Sequence, residues 1–236
     1  MNQPATNSSE GSGAAAFLTE AFKLLKRREI LVPALLLLVL LTLSNIVVLQ
    51  NMPAKGSLPP LPFIVAALIR ILGVIALAVA ILRTLAPTER PRWRPDGGMF
   101  LYALTFAFGV GAQALASSMV GDRTRFGDLL LTNLLVTVLL SPLVVWFVAI
   151  AVARPLAWRP GPWLREFRAW LAPLLLWTLL IVTPMALLHA TIDLRLISGV
   201  GALFWPLALF DGALSTAMAI IGLALNAAAY RRASKG

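Results

Sequence analysis

The chain contains no cysteine, a single histidine, two tyrosines and only ten acidic residues in 236 positions. Without cysteine there are no disulfides, no thiolate nucleophile and no Cys-based metal or iron–sulfur site. A structural or catalytic zinc site needs three or four ligands. With one imidazole and no H-x-x-x-H or comparable histidine–carboxylate spacing, no metal and no cofactor is expected. Walker and dinucleotide glycine patterns are also missing, as is G-x-S-x-G, and Ser117 and Ser118 stand beside no base motif. Charged residues make up only 13% of the chain.

Apolar sequence fills the space that charge leaves. Hydrophobic residues are 59% of the chain, and its mean hydropathy is +0.86. A soluble domain of this size does not carry that composition, which points to a membrane protein. A helix crosses the roughly 30 Å hydrocarbon layer with about 20 apolar residues. Six such windows are legible: Ile30 to Leu49, Leu61 to Leu82, Met99 to Val120, Leu129 to Ala153, Leu171 to Ala190, and a last one ending near Ala229. The expected fold is therefore an all-α integral membrane protein of six transmembrane helices. It divides into a disordered tail over 1–13, one membrane domain over 14–232 and a short tail over 233–236. About 29 residues precede the first apolar run, so a cleaved signal peptide is not expected.

The net charge of +10 is sorted by loop. Fifteen of the twenty basic residues fall before the first window or after the second, fourth and sixth, including Lys23, Arg27, Arg83, Arg94, Arg231 and Arg232. Four fall in the alternate loops: Lys55, Arg123, Arg125 and Arg195. Cytoplasmic loops hold the excess of Lys and Arg, which predicts a bacterial inner-membrane location with both termini inside. Such a face attracts anionic lipid headgroups, and that explains the charge better than nucleic acid does. Trp93 and Arg94, Trp158 and Arg159, and Trp163, Arg165 and Arg168 are the expected headgroup-contacting residues. Two interfacial amphipathic segments are expected, over Ala14 to Glu29 and Trp158 to Trp170. Trp93-Arg94-Pro95 recurs as Trp158-Arg159-Pro160 65 residues later, which suggests three hairpin pseudo-repeats.

The remaining basic residue, Arg70, stands inside the second window. A guanidinium at that depth costs roughly 2.5 to 3.5 kcal/mol and should face protein, water or an anion. Counting 1.5 Å per residue puts Arg70 and Asp211 at similar depths, about 13 and about 12 Å from the outer boundary, so that they are placed to form a buried pair. Gln113, Asn45, Asn133 and His189 complete a candidate intramembrane polar cluster. Elsewhere in the apolar runs, Pro206 predicts a kink or break near Trp205-Pro206, with either a tilted helix from near Gly201 or a short interfacial piece before a span from about Asp211. The matching segments Gly109-Val110-Gly111-Ala112 and Gly199-Val200-Gly201-Ala202 predict close helix packing.

Phe22-Lys23-Leu24-Leu25-Lys26-Arg27-Arg28 ahead of a span with Pro33, together with the closing Ala229-Tyr230-Arg231, resembles a broad group of bacterial inner-membrane proteins. Among these is the six-span membrane domain attached to some glycerophosphodiester phosphodiesterases. The resemblance implies six spans. It implies no catalytic residue, because the catalytic domain of those enzymes has no counterpart here. The expected function is that of a non-enzymatic membrane factor that interacts with lipid or with a membrane-protein partner. The alternative is a small carrier of an anionic solute or lipid using Arg70 and Asp211, and a third possibility is a lipid-modifying enzyme using His189 and Asp211.

Overall fold

The computed structural model describes residues 13–53, 57–120, 126–152 and 160–234. The expected N-terminal tail lies almost wholly outside these residues, as do Trp158 and Arg159 and the side chain of Trp163. Among the described residues there are eight α-helices and no strand. They are α1 (Ala14–Leu25), α2 (Leu31–Gln50), α3 (Leu61–Leu85), α4 (Gly97–Val120), α5 (Phe126–Ala151), α6 (Pro160–Trp177), α7 (Thr183–Ser198) and α8 (Phe204–Ala233).

Five helical stretches are long and apolar enough to cross a membrane: Arg28–Gln50, Leu61–Leu85, Gly97–Ala116, Arg165–Ser198 and Gly201–Ala233. A sixth exists if α5, bent by 60° between Leu130–Leu140 and Val145–Ala151, is one span. The bend spans residues 141–144, which include Pro142, a residue with no backbone N–H to donate. Side chains such as Leu35, Val39 and Leu43 of α2 and Phe100, Leu104 and Phe108 of α4 stand half or more exposed. Apolar surface displayed on this scale requires a nonpolar solvent, and the chain is a helical multi-pass membrane protein.

Consecutive helices pair, α2 with α3, α4 with α5 and α7 with α8. α8 is the central element and touches α1, α2, α3, α5, α6 and α7. Its Ala224, Ala227, Ala228 and Ala229 are fully buried, and these small side chains let neighbouring helices approach. At the same end of the bundle lie Phe17 of α1, Ile81, Leu82 and Leu85 of α3, Val148 and Ile150 of α5 and Phe167 of α6, all buried in one core with Leu225 of α8. That end carries both residue 13 and residue 234.

Several sequence expectations need correcting. The kink or break expected near Pro206 is a break and not a kink within a helix: α7 ends at Ser198 and α8 begins at Phe204, so the proline falls in the first turn, where its missing N–H has no intrahelical acceptor anyway. Gly199 and Gly201 are not packing residues but turn residues, with φ of 85° and 55° in the link between α7 and α8. In α4, a side chain added at Gly111 would meet nothing, and one at Gly109 would only touch Leu140 at 3.9 Å. Close packing occurs instead at Gly212, where an added Cβ would lie 3.0 Å from the Thr42 backbone of α2. The expected interfacial segment at the N-terminus forms α1, but its Phe17, Ala21 and Leu24 are buried by the bundle, chiefly against α8. α6 is not a separate interfacial helix. It continues into α7 through a five-residue π-helical turn, Thr178–Val182, which ends two positions ahead of Pro184; π-turns and prolines both mark bends in helices.

Candidate functional site

Asn45, near the end of α2, is 4% exposed and organises a polar cluster from four helices. Its Oδ1 accepts a hydrogen bond from Arg70 Nη1 of α3 at 3.1 Å. Its Nδ2 donates to Asp211 Oδ2 of α8 at 2.9 Å and, more weakly, to Asp193 Oδ1 of α7 at 3.4 Å. Since Arg70 can only donate, it fixes which way round the amide stands and so aims the N–H groups at the two carboxylates.

The other carboxylate oxygens face His189. Its Nδ1 lies 2.6 Å from Asp211 Oδ1, and its Nε2 lies 3.5 Å from Asp193 Oδ2. Ser215 Oγ stands 3.2 Å from the same Nδ1. Helical periodicity explains the assembly: His189 and Asp193 are four apart on α7, Asp211 and Ser215 four apart on α8, and each pair shares a helix face. Asp211 is 1% exposed, whereas the side chains of His189 and Asp193 are 20% and 31% exposed. The cluster is closed behind Asp211 and open beside Asp193.

The expected direct pair between Arg70 and Asp211 does not form. Asn45 stands between the two charges, so their interaction is relayed through one amide. Arg70 makes no other hydrogen bond or ion pair among the described residues, and it is partly exposed. Of the other expected members, Gln113 lines a separate cavity of about 280 Å³ with Tyr102, Thr105 and Phe147, between α4 and α5. Asn133 lies on α5. Asp193 and Ser215 were missed as members, although their i, i+4 spacing from His189 and Asp211 was available as a signal. The expectation of no metal-ligand set also needs amending, because His189, Asp193 and Asp211 each offer a ligand atom and these atoms lie within 4.8 Å of one another.

The end that carries the termini is held by arginines. Arg83, its side chain wholly buried, donates from Nε to Ala151 O at the end of α5 at 2.8 Å, and from Nη1 to Pro91 O and Arg94 O. Its Nη2 meets Asp96 Oδ1 at 2.6 Å. Arg27 donates to Thr84 O, and Arg231 to Leu85 O, at the end of α3. Carbonyls in the last turn of a helix have no intrahelical partner and carry partial negative charge, which guanidinium groups satisfy on both counts. Asp96 caps α4 by accepting the Met99 N–H at 3.0 Å. Burial pushes its pKa up, but the Met99 hydrogen bond and the neighbouring Arg83 outweigh that and hold it below its ordinary value.

Beside these staples, α1 and α8 enclose an open cavity of about 590 Å³ lined by Glu20, Lys23, Arg27, Arg231 and Arg232. Glu20 pairs with Arg232 at 2.6 Å and with Arg231 at 3.5 Å, and Arg232 also lies 5.0 Å from the Trp170 ring centre. Four cations against one carboxylate leave the cavity positive. Among the expected headgroup residues, Trp93, Arg94, Arg165 and Arg168 are exposed.

Comparison with family models, curated proteins and solved structures gives no match to this chain. Its function is therefore argued from its own residues.

Proposed function

We propose that the chain is a six-span protein of the bacterial inner membrane, with both termini in the cytoplasm, that binds anionic lipid headgroups at its cytoplasmic face and catalyses no reaction. The bent α5 counts as one span, and the sorting of fifteen basic residues against four sets the orientation. One observation carries the binding role: the positive cavity between α1 and α8, at the end of the bundle where headgroups lie in this orientation. Basic pockets between helices on the cytoplasmic side suit phosphate-bearing headgroups. Lys23 supplies a cation free for such a ligand, with no hydrogen bond or ion pair to protein among the described residues.

The test is lipid retention. Full-length chain extracted from nanodiscs of phosphatidylethanolamine mixed with phosphatidylglycerol or cardiolipin should retain the anionic lipids in excess of their share, as measured by mass spectrometry. Lys23→Glu should reduce that excess several-fold without unfolding the protein. Retention in proportion to the bulk mixture, or indifference to Lys23→Glu, overturns the proposal.

Arg70 favours a second reading, a carrier of an anionic solute or lipid. It uses one N–H on Asn45 and leaves the rest of its guanidinium for an anion. In that case the chain in liposomes should move an anionic substrate and Arg70→Ala should stop it. Absence of movement across a broad panel of anions and lipids removes this reading.

A further inference from the structure

The group around His189 contains two carboxylates and one guanidinium, so one more positive charge is needed for neutrality in a low-dielectric interior. A proton on the imidazole supplies it, and a divalent cation beside a neutral imidazole more than offsets the deficit, leaving the group at +1 for an accompanying anion to balance. We propose that His189, Asp193 and Asp211 form a binding site for a divalent transition metal such as zinc.

Three features of the geometry support a metal. First, the donor set of one nitrogen and two carboxylate oxygens leaves a fourth position for water or Ser215 Oγ, which is within 3.2 Å of the ring; three protein ligands with an open position is a normal zinc arrangement. Second, the separations suit an ion. Nitrogen and oxygen ligands each about 2.0 to 2.2 Å from zinc at a tetrahedral angle stand roughly 3.4 Å apart, and His189 Nε2 lies 3.5 Å from Asp193 Oδ2. One ligand atom from each of the three residues lies within 4.8 Å of the others; Asp211 Oδ1 contacts the other ring nitrogen, Nδ1, at 2.6 Å, so both carboxylates meet one nitrogen only after the imidazole rotates. Third, the ligands are already held from behind. Asn45 Nδ2 donates to the far oxygen of each carboxylate, and Arg70 holds Asn45. Outer hydrogen bonds of this kind orient metal-binding carboxylates. Asn45 also keeps the guanidinium away from the ion. The partial exposure of His189 and Asp193 gives an entry path, while Asp211 forms the buried floor.

Composition makes the proposal sharply testable. His189 is the only imidazole and the chain has no thiol, so any tight site with a nitrogen side-chain ligand must contain His189. The untagged full-length chain in detergent is titrated with Co2+, whose visible absorption reports tetrahedral coordination, and then with Zn2+ to displace it. The expected result is a stoichiometric cobalt band that zinc abolishes. His189→Ala should eliminate the band, and Asn45→Ala should weaken binding by roughly 10- to 100-fold. Asp193→Asn, at the more exposed ligand, leaves the buried floor intact and should also remove the band while the helical circular-dichroism signal is unchanged. No band in the native chain, or a band that survives in His189→Ala or in Asp193→Asn, overturns the site.

Discussion

Asn45 does at the scale of one side chain what the sequence assigned to a pair of charges. Constant helical rise puts Arg70 and Asp211 at similar expected depths, and the structure brings both onto Asn45. Which neutral residue would come between them depends on how α2 rotates against α3 and α8, and apolar periodicity does not report this when α2 is greasy on every side. Replacing Asn45 with Leu leaves Asp211 without its amide donor, and a buried acceptor without a partner costs about 1–3 kcal/mol. Reversible unfolding in mixed micelles should show a loss of that size. A smaller loss would mean that His189 alone satisfies Asp211.

Asp96 makes a prediction in pH. Its pKa is held below the ordinary carboxylate value of 3.8 by the Met99 N–H and Arg83 against the opposing effect of burial. A carboxylate whose pKa is lower in the folded than in the unfolded state contributes stability above its unfolded pKa and loses that contribution as pH falls through the folded one. The native chain should therefore exceed Asp96→Asn in thermal stability at neutral pH, and the gap should close only below about pH 4. A gap that is constant with pH would show that the hydrogen bonds matter and the charge does not.

At the scale of helices, contacts decided what composition left open. Gly212 follows Asp211 on α8 and sits against the Thr42 backbone of α2, with room for no side chain. Gly212→Ala should push α2 from α8, costing about 1–3 kcal/mol and separating Asn45 from Asp211. Unfolding measurements and loss of the proposed cobalt band would report the two effects together. By contrast, Pro206→Ala should change stability by less than about 1 kcal/mol, since the first turn of α8 needs no N–H there. A large loss would show that the proline shapes the entry to α8. The link ahead of that turn contains Gly199 and Gly201, whose tetrapeptide matches the one around Gly109 and Gly111. Identical G-V-G-A tetrapeptides serve as helix in α4 and as turn before α8, because only the second lies between two helices that must reverse direction within a few residues.

For the whole molecule, the proposed orientation fixes where every loop must lie. A reporter fused after Arg94 should be active as a cytoplasmic marker, and one fused after Asp193 should be active as a periplasmic marker. Both on the same side would remove the alternating topology and, with it, the cytoplasmic placement of the basic cavity.

The chain's amino-acid order was enough to determine that it is helical, that several of its helices are apolar enough to cross a membrane, and roughly where most of those helices begin and end. Those properties follow from local quantities: apolar runs matched to hydrocarbon thickness, and the small number of charges. It also marked Arg70, Asn45, His189 and Asp211 as costly at their depth. Tertiary structure alone decided that α8 is central, that Arg83, Arg27 and Arg231 staple helix ends, that Gln113 lines a separate cavity, and that His189 lies between two aspartates. Those outcomes depend on the rotation of one helix about its axis relative to the next. In a chain with so little polarity that rotation is set by the fit of small residues such as Gly212 and Ala227 against their neighbours, which no periodicity in the sequence records.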